Sequence, residues 1–321
     1  MRVAAAARAA PRPVSTPPYV VTLGESLFDA SPAGLFLGGA PLNVAVHLTQ
    51  FGVRAALCTR VGRDDLGDEV ALRLREKGVD TSLLQQDDNL PTGFVRVTFS
   101  GSEPSYDIRQ PSAWDNIQKE PSLMEAAAAA DALVFGSLAQ RCAASRDAIA
   151  AAASASQRAV FDINLRQPHV NLEAVKAAAP LSWLLKLNED EAGLLVASCG
   201  LKDVGAGSPP ASLAAAIGAH FGVGVALTLG GAGGVLRLPD GATWRHGGCK
   251  VTPVDAVGAG DSFLAALLHG LLTTPGDPGR ALATANAVGA FVATQRGATP
   301  RIDAAAVEAL RGGAAPAERV D

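Results

Sequence analysis

Asp261 is the residue in this sequence whose position most directly suggests chemistry. It lies in the stretch VDAVGAGDSF (254–263), where two small Gly-Ala-Gly steps end in a carboxylate and an apolar helix is predicted to begin. One interpretation is an N-cap, in which the side chain accepts backbone N–H bonds at the positive end of the helix dipole. Taken alone, the stretch favours the cap, so a chemical role for Asp261 needs support from the rest of the chain.

A second motif, LGGAPLNVAVHL (37–48), places an amide at the head of an apolar helix. Pro41 fits the first helical position, where its missing N–H is not needed. The helix start does not explain Asn43, which lies between Leu42 and Val44. The two glycines before Pro41 allow another group to approach the backbone closely.

A third motif, KLNEDEAGLL (186–195), has Asn188 and Glu191 three residues apart at the end of a predicted strand. This spacing is typical of a capping box. The alternative is a carboxylate near a water-bound Mg²⁺ at the carboxyl edge of a parallel sheet, which is where such sheets bind ligands.

Two further strand ends carry candidate binding residues. ALTLGGAGG (226–234) is either a glycine turn between strands or a loop whose N–H groups face a phosphate. FDINLRQPHV (161–170) alternates Asp162, Asn164 and Arg166 with apolar residues. A half-exposed strand would give this pattern, and an arginine at the carboxyl edge also suits an anion.

The segments around these motifs alternate between strand-like and helix-like patterns, which predicts a mainly parallel sheet with helices on both faces. GLFLGG (34–39) and the segment 93–110 depart from the alternation and predict a small separate sheet that covers one end of the main sheet. The predicted main strands are 19–28, 55–62, 132–138, 159–165, 183–188 and 224–231, with helices at 43–52 and 67–78.

Composition limits the class of protein. The chain has 321 residues, 48% apolar and 18% charged, so it can bury a sizeable core. Its formal net charge is −4 and it has no block of Lys or Arg, so we do not expect long-range attraction to nucleic acid or an anionic membrane. Its four scattered cysteines favour neither a disulfide framework nor a zinc site. The stretch 204–236 lacks charged residues, but its prolines and glycines argue against a membrane span. The GK dipeptide of a Walker A loop is absent from the sequence.

The two ends differ from the rest of the chain. Residues 1–18 contain Arg, Ala and Pro but no acid, which predicts either a disordered extension or a short transit peptide. The expected location is therefore cytoplasmic, or a plastid or other organelle stroma if that segment is a transit peptide. The tail 311–321 is predicted to be flexible.

Taken together, the motifs resemble the PfkB or ribokinase-like family of carbohydrate kinases. The residues that carry the resemblance are GESLFD (24–29), GGAPLN (38–43), NxxE (188–191), TLGG (228–231) and DAVGAGD (255–261). AWDNI (113–117), VFGSLAQR (134–141) and DINLRQP (162–168) look most like its fructokinase branch. The resemblance implies a ribokinase-like α/β domain over residues 19–310, with a small β-sheet lid at about 30–40 and 93–112.

The resemblance also implies a reaction, the transfer of the γ-phosphate of ATP to a sugar hydroxyl, with fructose as the expected sugar. Asp261 would be the general base, and the N–H groups of Gly258, Ala259 and Gly260 would form an anion hole at a helix N-terminus. By the same resemblance, Asp29, Gly39, Asn43 and Arg166 would contact the sugar or the phosphates; Asn188, Thr228, Gly230, Gly231, Gly233 and Asn286 would bind the nucleotide; and Glu191 and Asp255 would serve Mg²⁺ and a monovalent cation, usually K⁺.

One residue departs from the family pattern, since Ala256 stands where the family usually has threonine. We expect reduced tuning of this loop rather than lost chemistry. Two alternatives stay open: a kinase for another sugar or sugar acid, such as ribose or 2-keto-3-deoxygluconate, and a non-catalytic fructokinase-like interaction protein. A homodimer through the lid strands is also expected.

Overall fold

The computed structural model describes residues 13–32, 34–100, 103–205 and 207–320. Most of the predicted N-terminal extension lies outside these residues. The remainder of it contacts the domain, because the backbone N–H groups of Ser15 and Tyr19 both donate to the carboxylate of Asp131.

A ten-stranded sheet forms the centre of the molecule. Its strand order is β14-β13-β12-β11-β10-β9-β8-β1-β4-β5, and the seven strands from β11 to β5 run parallel, as the alternating pattern predicted. The strands are β1 (Tyr19–Leu23), β4 (Arg54–Gly62), β5 (Leu84–Asp87), β8 (Ala132–Gly136), β9 (Ala159–Asp162), β10 (Leu184–Asn188), β11 (Gly224–Thr228), β12 (Gly234–Arg237), β13 (Thr243–His246) and β14 (Glu318–Arg319).

Helices cover both faces of this sheet and bury a hydrophobic core on each. Successive strand residues point to opposite faces, so Val160 belongs to one core and Phe161 to the other. The first core packs against α1 (Ala40–Gln50), α2 (Asp65–Glu76), α8 (Ala259–Thr273), α9 (Pro278–Ala293) and α10 (Ala304–Gly312); the second packs against α3 (Pro121–Ala129), α4 (Ala143–Ala155), α5 (Leu172–Ala178), α6 (Glu189–Cys199) and α7 (Pro210–Phe221).

A separate four-stranded sheet, which we call the lid, contains β2 (Leu27–Ser31), β3 (Gly34–Gly38), β6 (Gly93–Ser100) and β7 (Glu103–Ile108). Its strand order is β3-β2-β6-β7, and β2 pairs antiparallel with β3 and parallel with β6. The predicted small sheet is therefore confirmed. The prediction of one strand over 19–28 is wrong, because Gly24, Glu25 and Ser26 carry the chain from the main sheet into the lid.

The C-terminal tail differs from its prediction. Residues 311 and 312 complete α10, and Glu318–Arg319 pair with Trp244 and Arg245 of β13 as the edge strand of the main sheet. Backbone pairing with β13 thus holds a segment that its composition alone suggested would be flexible. Within the described ranges, the longest apolar helices are too short or too polar to cross a membrane.

Candidate active site

The sequence motifs converge at the carboxyl edge of the parallel strands, between the main sheet and the lid. The loop from β1 to β2 and the ends of β9, β10 and β11 each place a motif at this edge. The first turns of α1 and α8 face each other beside them, since Asn43 of α1 bonds Asp261 of α8. Parallel sheets bind ligands at this edge because loops and helix N-termini meet there.

Asp261 is buried at this meeting point, with 8% of its surface exposed. The cap interpretation is wrong, because α8 begins at Ala259 with Gly258 as its N-cap, and Asp261 is the third helical residue. Its Oδ2 instead accepts a hydrogen bond from Asn43 Nδ2 at 2.8 Å. Burial raises the pKa of Asp261, and Lys186, the Asn43 hydrogen bond and Arg166 oppose that rise.

The turn before Asp261 can exist only with glycine at position 258. Gly258 has φ +78°, and the backbone of Ala298 occupies the place where a Cβ would lie. Ala259 N–H donates to Ala256 O at 3.2 Å, whereas the N–H groups of Gly258 and Gly260 have no such partner among the described residues. The open donors of the predicted anion hole are thus those of Gly258 and Gly260, with Ala259 already engaged.

Buried oxygen acceptors lie on the lid side of Asp261. Asn43 Oδ1 and Glu25 Oε2 are both buried without a hydrogen-bond partner, while Glu25 Oε1 accepts from Ala40 N–H at 3.3 Å. Burial raises the pKa of Glu25 to about 7 and that of Asp29 to about 6. Hydroxyl groups of a polyol such as a sugar would donate hydrogen bonds to these acceptors.

The glycines of the GGAP motif allow this crowding. Gly39 has φ +117°, and the carbonyl oxygen of Glu25 fills the place of its missing Cβ. A Cβ on Gly38 would lie 2.8 Å from Asp29 Oδ2. The two glycines thus let the lid carboxylate and the loop after β1 come together at the start of α1.

Arg166 reaches the site from the loop after β9. Its side chain is exposed, and its charge lowers the pKa values of Glu25, Asp29 and Asp261. Asn164, two residues earlier, has φ +40°, the one described non-glycine residue with positive φ. Strained backbone of this kind clusters at binding sites, where the surrounding structure holds it in place.

Asn188 and Glu191 form a complete capping box at the start of α6. Asn188 Oδ1 accepts from Glu191 N–H, and Glu191 Oε2 accepts from Asn188 N–H, both at 2.9 Å. Glu191 Oε1 accepts from Leu165 N–H at 2.8 Å, so both carboxylate oxygens are engaged. In the part of the chain that the structure describes, three acidic, His or Cys side chains nowhere cluster as metal ligands. A Mg²⁺ ion here would therefore be held through phosphates and water.

The glycine loop after β11 has room for a ligand. A Cβ at Gly230 or Gly231 would meet no atom within 4 Å, whereas Gly233 is packed against the backbone of His246 and Gly248. Open glycines beside a fixed turn make a cradle that suits a nucleotide phosphate or ribose. Thr228 ends β11 at this loop, and Asn286 is buried in α9 with its Nδ2 bonded to Leu282 O.

Asp255 links its own loop before α8 to the loop after α9 that contains Gly297. The sequence suggested a monovalent cation at this position. Its Oδ1 accepts from Val257 N–H at 3.0 Å and its Oδ2 from Gly297 N–H at 3.1 Å. Each carboxylate oxygen retains a further lone pair, and oxygen atoms are the ligands that alkali and alkaline-earth cations prefer. Asp255 therefore fixes the loop and keeps lone pairs open to a cation.

Sequence reasoning did not assign a role to three buried charged groups of the site, Glu25, Asp162 and Lys186. Lys186 Nζ lies 3.0 Å from each carboxylate oxygen of Asp162. The sequence did contain a signal, because a charged residue stands inside each of two otherwise apolar strand patterns, AVFDIN and WLLKLN. Buried charges are rare unless they are paired, so two such residues in neighbouring strands indicate a pair.

Comparisons with known proteins agree with this geometry. A family model described as pfkB family carbohydrate kinase matches residues 20–305. The uncharacterized sugar kinase PH1459 of Pyrococcus horikoshii is 30% identical over 290 residues, 86% of each chain. Its crystal structure matches with a TM-score of 0.76 at 26% identity, over 91% of this chain and 99% of that one, and it has also been solved in complex with ATP.

Fructokinases are among the other relatives. Probable fructokinase-7 of Arabidopsis thaliana is 31% identical over 318 residues, 88% of each chain. The fructokinase of Vibrio cholerae O395, solved with fructose, ADP and calcium, matches with a TM-score of 0.74 at 26% identity over 92% of this chain and 99% of that one. A double mutant of it was solved with fructose, ADP and potassium. Since the family model matches residues 20–305, well over half of the sequence, this chain belongs to the pfkB family of carbohydrate kinases.

Proposed function

We propose that this carbohydrate kinase transfers the γ-phosphate of ATP to the 6-hydroxyl of fructose and releases ADP and fructose 6-phosphate. The observation that carries the proposal is the buried Asp261 carboxylate beside the open first turn of α8. Its Oδ2 accepts a hydrogen bond of 2.8 Å from Asn43 Nδ2. A base next to an anion site is what phosphoryl transfer to a hydroxyl requires.

In this proposal, Asp261 accepts the proton of the sugar hydroxyl as the oxygen of that hydroxyl attacks the γ-phosphorus. The N–H groups of Gly258 and Gly260 stabilise the negative charge on the transferred phosphoryl group, and Ala259 contributes as its own bond lengthens. Helix α8 adds the positive potential of its N-terminus, so a protein of net charge −4 still binds an anion. ADP is the leaving group.

The remaining residues bind the substrates. Asp29, Gly39, Asn43 and Arg166 surround the sugar, and the unpartnered Asn43 Oδ1 accepts a hydrogen bond from one sugar hydroxyl. The nucleotide lies over the glycine loop, with Thr228, Gly230, Gly231, Gly233, Asn188 and Asn286 as its contacts. Glu191, acting through water, would hold Mg²⁺, and Asp255 would hold K⁺; when bound, these ions would neutralise negative charge on the phosphates.

Fructose is supported as the acceptor by two kinds of evidence. Four segments of this sequence, GGAP, AWDNI, VFGSLAQR and DINLRQP, are similar to the fructokinase branch. Relatives named fructokinase match most of the chain at about 30% identity.

Turnover of ATP to ADP with fructose, ribose, glucose, 2-keto-3-deoxygluconate and adenosine, in the presence of Mg²⁺ and K⁺, tests the proposal. We expect kcat/KM to be highest for fructose, with phosphate on its 6-hydroxyl. A higher kcat/KM for another acceptor would replace fructose and keep the kinase. Absence of turnover with all five, in protein that still binds ATP, would favour a non-catalytic interaction protein.

A further inference from the structure

A buried ion pair lies directly behind the first turn of α8. Asp162 of β9 and Lys186 of β10 are opposite each other in the register of the two parallel strands. Lys186 Nζ is 3.0 Å from both Oδ1 and Oδ2 of Asp162. The exposed fraction is 6% for Lys186 and 2% for Asp162, so water reaches neither charge freely.

The ammonium of Lys186 is also in contact distance of the proposed anion hole. A Cβ built on Gly260 would lie 3.0 Å from Lys186 Nζ and 3.8 Å from Lys186 Cε. Glycine at position 260 is therefore what lets the lysine approach the backbone of this turn. Asp261 follows Gly260 immediately, so one cation lies beside both the anion hole and the proposed base.

Stability does not explain why the chain keeps these charges. Removing two ionic groups from water opposes folding, and an apolar pair of similar volume would serve a sheet core as well or better. The pair has a chemical use instead, because a third buried carboxylate, Asp261, lies next to it. Without a nearby cation, burial alone would favour the protonated and inactive form of Asp261.

We propose that Lys186, clamped by Asp162, is a positioning residue that keeps Asp261 ionised and places a fixed positive charge behind the Gly258–Gly260 turn. The inference rests on the proposed function, since it assigns Asp261 as the base. Lys186 acts through Asp261 and the turn, while Asp162 holds the ammonium in place and limits how strongly it acts.

The pKa directions agree with this arrangement. Lys186 is the largest of the contributions that lower the pKa of Asp261 against burial, and Asp162 and Asp261 in turn raise the pKa of Lys186. Other charged or polar groups act here too, and a pH experiment must separate them: Glu25 from the loop after β1, Asn43 from α1, Arg166 from the loop after β9, and Glu191 from α6.

Two opposite single substitutions test the proposal. Lys186→Met removes the cation, so the pKa of Asp261 should rise and the acidic limb of the kcat/KM profile should move to higher pH. Asp162→Asn removes the clamp's negative charge and keeps the cation, so the limb should move to lower pH. A merely structural role would impair both variants in the same direction.

The double variant Lys186→Met/Asp162→Asn guards against a folding failure, because it leaves neither charge unpaired in the core. We expect its unfolding midpoint to stay near that of the wild type. The acidic limb of its kcat/KM profile should move to higher pH, by less than in Lys186→Met, because the loss of Asp162 offsets part of the loss of the cation. Lys176→Met, at a lysine of α5 paired with exposed Glu173, is the matched control. The kcat/KM profile of Glu25→Gln shows whether the acidic limb reports the titration of Glu25 instead of that of Asp261.

A second measurement does not depend on turnover. ¹³C NMR titration of aspartate-labelled protein, with the Asp261 resonance assigned through Asp261→Asn, reports the pKa of that carboxyl directly. Unchanged Asp261 titration in the folded double variant, or shifts of the same sign in Lys186→Met and Asp162→Asn, would overturn the inference. An inactive wild type would count against the proposed function alone, because the titration would still decide the role of Lys186.

Discussion

At the scale of single residues, the site concentrates ionisable groups where water is scarce. Asp261, Glu25, Asp162 and Lys186 are all buried, and burial raises the pKa of each of the three carboxyls. A catalytic base benefits from a pKa moved toward the working pH. The same burial makes these groups sensitive to substitution, and two predictions follow from this.

Asp261→Asn should fold like the wild type and lose roughly 10²–10⁴-fold in kcat, which is the usual contribution of a general base. The amide still contacts Asn43 but takes up no proton. Steady-state kinetics with the best acceptor measures the loss. Asp65→Asn, in the first turn of α2 and exposed, is the matched control for losing an aspartate near a helix start. Activity of Asp261→Asn within threefold of wild type would refute the base assignment.

Glu25→Gln should stabilise the protein at high pH. Burial raises the folded-state pKa of Glu25 from its ordinary 4.5 to about 7, so the folded state holds this proton more tightly. That stabilisation is complete below pH 4.5 and is lost as the pH rises through 7. At pH 8, Glu25→Gln should gain up to about 3 kcal/mol in the free energy of unfolding, and less than about 1 kcal/mol at pH 5.

Urea denaturation at the two pH values measures this difference. Glu125→Gln, on the exposed side of α3, controls for the loss of one surface carboxylate. Equal stability changes for Glu25→Gln at pH 5 and pH 8 would contradict a raised folded-state pKa for Glu25.

Sequence reasoning recovered the residues that stand in local motifs and missed those that depend on pairing between strands. Asn43 and Asp261 are 218 positions apart, yet each lies in a recognisable stretch, and the structure joins them. Asp162 and Lys186 meet only because β9 and β10 align in one particular register, which the sequence does not state. For Asn188 and Glu191, the local capping box was the better structural prediction.

At the scale of elements, the connection from β3 to α1 decides how the lid meets the main sheet. Its geometry depends on Gly39, whose positive φ and missing Cβ admit the Glu25 carbonyl. Gly52, just after α1, also has positive φ, at +77°, but a Cβ there would meet no atom within 4 Å. A side chain at either glycine would suffer the strain of positive φ, but only a side chain at position 39 would also clash with neighbouring atoms. Comparing substitutions at the two positions therefore distinguishes the two effects.

Gly39→Ala should lower the free energy of unfolding by about 2 kcal/mol or more and raise the KM for the sugar, because the lid must move away from α1. Gly52→Ala should lose only the strain of about 1 kcal/mol and keep the wild-type KM. Denaturation curves and acceptor kinetics on both variants check this. Equal effects would mean that the contact with Glu25 does not position the lid.

The elements themselves were predictable where periodicity alone defines them. The core strands and α1 follow from apolar runs and glycine or proline boundaries. The division of 19–28 into β1 and β2 did not follow, because both halves read as strand and only the tertiary structure assigns them to different sheets. The tail was mispredicted for a similar reason, since its pairing partner β13 lies some 70 residues away in the chain.

At the scale of the whole molecule, the lid leaves an edge strand open. β3 has a neighbour on one side only, and Phe36 on it is 50% exposed. Exposed apolar edge strands tend to pair with another chain. We therefore propose that two copies of this chain associate through their lids.

Light scattering after size-exclusion chromatography should give the mass of a dimer, and Phe36→Ser should shift it toward the mass of a monomer. Leu72→Ser in α2 removes an apolar side chain of similar exposure, 47%, and should leave the mass unchanged. A monomeric wild type at micromolar concentration, or dimers of Phe36→Ser as stable as those of wild type, would rule out the lid interface.

The order of the main sheet has a consequence for synthesis on the ribosome. From β8 to β14, neighbouring strands follow one another along the chain, so each new strand can add to the edge of those already made. Chains emerge N-terminus first, and early segments gather before late ones. Among the strands that the structure describes, β1 to β13 all leave the ribosome before Asp261, and β14 leaves after it. A nascent chain therefore acquires most of its sheet before it acquires its proposed base.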